Sequence, residues 1–372
     1  MTVPVPEHIR GLRPYIPGKP IEEVQRELGL TDVIKLASNE NPLGPPPRAI
    51  EAIAAAAAGL TLYPEGNAPT LREAVSRHVD MSPDCLVFGN GSDEVLHLLA
   101  MTFLQPGDEA VQGNPSFAMY EVYTAQANAK SVMVPLKDQA HDLDRMLEAI
   151  TPRTRIVFVA NPNNPTGTYV DAAAVDRFVS RIPDDVVLVM DEAYYEYVDD
   201  PRPPDLRPLV RAGRNIVILR TFSKAYGLAG LRVGYGITTP ELAAVLNTVR
   251  SPFNVNSLAQ AAAAAALEDP SYIARAVSLN AEGRRYYEAQ FRRLGLEFVP
   301  SQANFVLVDV GRDSRAVFEA LQRHGVIVRP GAGLGLPLHI RVSVGTSVQN
   351  ERFIKALECV LDEVPAVSSG DR

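Results

Sequence analysis

The chain has 372 residues, 46% of them hydrophobic and 22% charged, with a formal net charge of −8. That length allows one large domain or two, and an acidic balance without a basic block argues against nucleic acid or an anionic membrane as partner. No apolar run reaches membrane-spanning length and no signal peptide is evident; the two cysteines, Cys85 and Cys359, and six scattered histidines show no metal spacing, which leaves free thiols suited to the cytoplasm.

Proline is frequent near the N-terminus (Pro14, Pro17, Pro20, then Pro42, Pro45, Pro46 and Pro47), so this region cannot be regular throughout. Residues 1–30 are expected to form an arm together with part of a small domain. The alanine tracts 54–58 and 261–266 read as buried or half-buried helix. A buried strand is expected at 84–89, a helix at 93–104 and a further strand from Ala110. Apolar runs without alternation follow at 155–160, 186–190 and 215–220. Such runs suit a sheet covered on both faces, hence mostly parallel strands joined by crossover helices. Beyond residue 252 the rhythm changes. A helical zone over 256–294, interrupted near Asp269 and Pro270, precedes strands at 304–309, 326–329 and 338–344 and a helix over 349–363. The expected organisation is α/β: a large domain over 31–253, a smaller α+β domain over 254–364 and a disordered tail over 365–372.

In open α/β sheets ligands collect beyond the carboxyl ends of the strands, and the distinctive residues of this chain follow strands. The segment GNGSDE (89–94) opens a helix, where free N–H groups attract phosphate; a plain turn capped by Asp93 fits as well. NPNNPTG (161–167) has two X-Pro steps that stiffen a turn. DEAY (191–194) puts Asp191 at the mouth of a buried strand, which is costly without a cationic partner. In TFSKAYGLAGLR (221–232), Lys224 stands among small hydroxyls with Arg232 eight residues on. Nearby positive charge lowers a lysine pKa and makes the amine nucleophilic, while Arg232, Thr221 and Ser223 could grip a phosphate dianion. An aspartate, an asparagine, a tyrosine, a phosphate-binding helix start and a lysine form the set that a pyridoxal phosphate ring requires. The loop GAGLG (331–335) lacks the strand-to-helix setting of a nucleotide loop and is read as a flexible connection.

With these motifs together the chain resembles the fold-type I pyridoxal-phosphate-dependent aminotransferases, and within them most closely the histidinol-phosphate aminotransferase group. GLRPYIPGK (11–19), KLASNENPLG (35–44), YPEG (63–66), NNPTG (163–167), DEAY (191–194), the lysine segment and RVSVG (341–345) carry the resemblance over nearly the whole chain. It implies a mostly parallel seven-stranded sheet in the large domain and pyridoxal 5′-phosphate as cofactor. Lys224 would bind the cofactor covalently and then act as proton-transfer base. Asp191 would pair with the ring nitrogen, and Tyr194 and Asn164 would bond the phenolate oxygen. Ser92 and Asp93 (through backbone N–H), Thr221, Ser223 and Arg232 would hold the phosphate, with Phe117 stacked on the ring. Tyr63 would reach the cofactor phosphate of a neighbouring subunit, which implies a homodimer. Arg341 and Arg329 would receive the anionic ends of the substrates, with Tyr15 closing from the arm and Asn39 nearby. Metal, membrane and nucleic acid have no place in this reading.

The implied reaction is transamination between histidinol phosphate and 2-oxoglutarate, in histidine biosynthesis. An aromatic amino-acid aminotransferase is the alternative, because SQANFV (301–306) matches such enzymes, although NENP (39–42) keeps the histidinol-phosphate form. A phosphothreonine decarboxylase shares much of the pattern. A cofactor-binding transcription regulator would need an additional basic domain that this chain lacks.

Overall fold

The structure is a computed structural model and describes residues 3–12 and 18–367. A seven-stranded sheet runs in the order Leu86–Gly89, Gly234–Ile237, Ile216–Thr221, Val187–Asp191, Thr154–Ala160, Glu109–Asn114, Lys130–Pro135. All neighbours are parallel except Gly234–Ile237, which is antiparallel to both of its partners. Successive strand side chains point to opposite faces. Val157, Val159, Leu188, Met190, Ile216 and Ile218 therefore enter one core. Their chain neighbours Ile156, Phe158, Val187, Val189, Val217 and Leu219 enter another. Apolar layers on both faces explain the unbroken hydrophobic runs.

A second sheet, Arg329–Pro330, His339–Ser343, Phe305–Asp309 and Phe298–Val299, is antiparallel throughout. Helices Ser314–Arg323 and Ser347–Glu363 and the end of the long helix Pro270–Arg293 supply its core, around Tyr287, Phe291, Phe353 and Leu357. The break expected near Asp269 and Pro270 is a helix start: the Asp269 carboxylate accepts from Tyr272 N–H and proline takes the first helical position.

Ile34–Lys35 pairs in parallel with Val326–Ile327, and Leu36 packs in the core beside the small sheet. Helix Ser257–Leu267 buries Ala259, Ala262, Ala263 and Ala266 in the core of the large sheet. The strand expected over 326–329 is two pieces in two sheets. Residues 331–334 form a tight 3₁₀ turn rather than a flexible connection. The first alanine tract is largely exposed, unlike the second. The tail is described as far as Val367, whose N–H donates to Gly311 O; residues 368–372 lie outside the described residues. Among the described residues, no helix is long and apolar enough to cross a membrane, and no group of three or more histidine, cysteine, aspartate or glutamate side chains could hold a metal ion.

Candidate active site

The carboxyl ends of three parallel strands open into a cavity of about 1130 Å³ between the two sheets. Among its lining residues are Asn39, Ser92, Asp93, Phe117, Asn164, Asp191, Tyr194, Thr221, Ser223, Lys224, Arg232, Arg329 and Arg341. These thirteen residues, spread over three hundred positions of sequence, were all expected at one site. Tyr63 is not among them: it is 84% exposed and stacks on Phe253 at 4.9 Å. Tyr15 lies outside the described residues. His8, Gly11 and Leu12 of the arm also line the cavity.

At one end stands the helix Gly91–Phe103, with Asn90 rather than Asp93 at its N-cap position and no side-chain cap bond. Gly91 has φ +73°, and a β-carbon on it would run into the Arg232 guanidinium. One on Gly234 would collide with Ser92 N. The two glycines let the helix start, the strand and Arg232 converge on an anion-sized cradle. Arg232 donates to Ser223 Oγ at 3.3 Å, and Thr221 Oγ1 accepts Ser223 N–H at 3.1 Å. The Asp93 carboxylate accepts the Tyr123 hydroxyl at 2.7 Å.

Asp191 is the last residue of its strand and 6% exposed. Its carboxylate accepts the Tyr120 hydroxyl at 2.7 Å and Ala193 N–H at 3.1 Å. No cationic side chain among the described residues forms an ion pair with it, and burial pushes its pKa up. Its neighbour Glu192 is clamped from behind by Arg220 at 2.8 Å, whose guanidinium lies 3.3 Å over the Tyr195 ring. That clamp fixes the turn carrying Asp191 and Tyr194.

The Asn-Pro turn is held by its own amides. Asn161 exchanges two hydrogen bonds with the Val170 backbone, and Asn163 bonds Ser116, Thr166 and Pro115 O. Asn164 is thereby presented to the cavity, where its Oδ1 accepts from Arg341 Nη1 at 2.5 Å. This contact assigns the flip of the amide and leaves Nδ2 as a donor. Arg341 also donates to Ala37 O at 2.7 Å and lies over Phe305. Arg329 is its direct cross-strand partner, so both side chains share one face of the small sheet. Asn39 donates to the Tyr194 hydroxyl at 3.0 Å, joining the arm-side segment to the DEAY turn.

Lys224 Nζ donates to Ser38 O at 3.4 Å. Its pKa is lowered to about 8, by burial first and by the charge of Arg341 second, with Glu40 opposing. The sequence suggested neighbouring charge as the cause; desolvation is the larger one. Tyr120 escaped the sequence reading altogether, since nothing local marks a tyrosine three residues beyond Phe117 as the partner of an aspartate 71 positions away.

Residues 31–357 match the family described as Aminotransferase class I and II. The chain belongs to this family. Among relatives of these aminotransferases, the histidinol-phosphate aminotransferase of Moorella thermoacetica is 52% identical over 95% of this chain and 92% of its own. That of Akkermansia muciniphila is 51% identical over 95% and 98%. In structure, the histidinol-phosphate aminotransferase of Sinorhizobium meliloti, solved in complex with pyridoxal-5′-phosphate, superposes with a TM-score of 0.89 at 31% identity, covering 96% of this aminotransferase and 97% of that chain.

Proposed function

We propose that this aminotransferase moves the amino group of L-histidinol phosphate to 2-oxoglutarate, giving imidazole acetol phosphate and L-glutamate, with pyridoxal 5′-phosphate as cofactor and histidine biosynthesis as its setting. The observation that carries the reading is the meeting, in one cavity, of a buried lysine whose pKa is lowered to about 8 with a buried aspartate, an anion cradle and two further arginines. The residues present fit the cofactor. Asp191, buried and in no ion pair among the described residues, is the carboxylate that a protonated ring nitrogen would pair with and hold in its charged form. The N–H groups of Ser92 and Asp93 with Thr221, Ser223 and Arg232 would hold its phosphate, Asn164 Nδ2 and Tyr194 its phenolate oxygen, and Phe117 its face. When bound, the cofactor supplies an electron sink for the pair left when a substrate C–H bond is broken. Lys224 would hold the cofactor covalently and, released by substrate, its Nζ would take the proton from the substrate α-carbon. Arg341 and Arg329 suit both half-reactions, because a guanidinium receives a phosphate or a carboxylate equally well.

Relatives of that name at about half identity favour histidinol phosphate over an aromatic amino acid as donor. Initial rates with 2-oxoglutarate as acceptor test this: kcat/KM for L-histidinol phosphate should exceed that for L-phenylalanine by more than about tenfold, since phenylalanine brings a singly charged carboxylate and an apolar ring where histidinol phosphate brings a phosphate dianion and a hydrogen-bonding imidazole. A reversed ratio would overturn the substrate, and turnover of neither would overturn the activity.

The working unit we propose is a homodimer in the cytoplasm, the free cysteines Cys85 and Cys359 suiting a reducing compartment. Tyr63 and Leu62 are 84% and 73% exposed and adjoin exposed Leu60 and Phe253, an apolar patch of the kind a partner covers. Sedimentation velocity should give twice the chain mass. Tyr63→Ala should weaken cofactor retention while leaving Lys224 in place, as expected of a residue serving the partner's site; a monomer with full activity would remove this assignment.

A further inference from the structure

We infer that Tyr120 is a positioning residue for Asp191, and that its phenol ties the carboxylate facing the cofactor's ring nitrogen to Phe117, the residue facing the ring itself. The inference rests on the function proposed above. Tyr120 lies in the short helix Met119–Gln126 and is completely buried. Its ring is fixed on two sides. Phe158 stacks on it at 4.7 Å with an interplanar angle of 1°, and Phe117 meets it edge-on at 5.6 Å and 84°. A second bond, from Thr124 Oγ1 to Tyr120 O at 2.7 Å, braces the helix from within. The hydroxyl is left one direction to point, and there it donates to Asp191 Oδ2 at 2.7 Å.

Geometry and charge agree on what this bond does. Burial and the adjacent carboxylate hold the phenol pKa well above its usual value, so Tyr120 remains a neutral donor. Burial alone would favour a protonated Asp191; the Tyr120 hydroxyl, Ala193 N–H and the charge of Lys224 counter it, and Asp93 adds to the upward push. The groups around Asp191 are thus Asp93 from helix Gly91–Phe103, Tyr120 from Met119–Gln126, Ala193 N–H and Tyr194 after its own strand, and Lys224 after strand Ile216–Thr221. Thr154–Ala160 offers Phe158, which has no charge to give. Of the side chains, only the Tyr120 hydroxyl donates to the carboxylate at hydrogen-bond distance among the described residues.

The test is the affinity for pyridoxal phosphate of the apo-form of four proteins, wild type, Tyr120→Phe, Asp191→Asn and the double variant, read across pH by quenching of protein fluorescence, with thermal unfolding alongside. Phenylalanine keeps both ring contacts, so the unfolding temperature of apo Tyr120→Phe should stay close to wild type. Its affinity should fall at least about tenfold at neutral pH, about 1.4 kcal/mol and close to the lower end of what a hydrogen bond to a charged group contributes. The loss should grow as pH falls, because a carboxylate without the bond takes up its proton at higher pH. In the Asp191→Asn background the same substitution should change affinity less than about twofold, since the coupling term of the cycle resides in the charge. Equal losses in both backgrounds would show a packing role only, and wild-type affinity at every pH would remove the role; either overturns the inference. Failure of the wild type to bind pyridoxal phosphate would instead overturn the proposed function.

Discussion

Lys224→Ala is expected to lose transamination by at least about 10²–10⁴-fold in kcat, the range contributed by a positioned proton-transfer group, and to keep only non-covalent affinity for pyridoxal phosphate. The amine is matched to the task by its surroundings. Burial and the charge of Arg341 lower its pKa from 10.5 to about 8, so a large neutral fraction exists near physiological pH. Uptake of the cofactor by the apo-enzyme should therefore accelerate with pH through a midpoint near 8, and Lys224→Ala should show no such midpoint. The sign for stability follows from the same shift. Between about 8 and 10.5 the unfolded lysine holds a proton that the folded one has released, so apo-enzyme stability rises with pH across that window relative to the alanine variant. Stopped-flow uptake and urea unfolding across pH check both statements. A variant that retained turnover, or the same uptake profile, would mean another amine does the work.

The site was legible because its residues sit where strands end. Asp191 closes Val187–Asp191, Asn161 follows Thr154–Ala160, and Thr221 closes Ile216–Thr221. A continuous apolar run announces a buried strand, and the polar residue after it announces the mouth of the sheet. Strand Gly234–Ile237 left no such mark, since glycine depresses strand propensity. The structure shows why glycine is needed there: a side chain at 234 would strike Ser92 N, and one at 236 would crowd Val95 and Val217. Lys130–Pro135 is an edge strand, partly exposed, with little pattern to read. The packing partners of helix Ser257–Leu267 were illegible for a different reason. The small faces of Ala259, Ala262, Ala263 and Ala266 let their helix approach Pro47–Ala56 and Pro69–Val79, but periodicity says only that a face is buried, not against which sheet. Tyr120 belongs with these cases, because its role depends on a contact across the fold.

Arg341 is the second position where a substitution should be severe. It is 7% exposed, donates to Asn164 Oδ1 and Ala37 O, and lies over the Phe305 ring 5.1 Å below. Removing one partner of a buried, hydrogen-bonded charge pair costs about 2–5 kcal/mol, or roughly 30- to 5000-fold in affinity. Arg341→Ala should reduce kcat/KM for L-histidinol phosphate within that range, mainly through KM. Its charge is also the second cause of the low Lys224 pKa, so its loss should move the midpoint of cofactor uptake upward. Arg341→Lys separates the two effects. It keeps the positive charge beside Lys224, so the midpoint should stay near that of the wild type. It lacks the planar fork that holds Asn164 and the Ala37 carbonyl together, so kcat/KM should still fall. Profiles of cofactor uptake and kcat/KM against pH for both variants read this out. Wild-type kcat/KM in Arg341→Lys would mean that charge alone suffices there. A midpoint unmoved in Arg341→Ala would mean that desolvation alone sets the reactivity of Lys224.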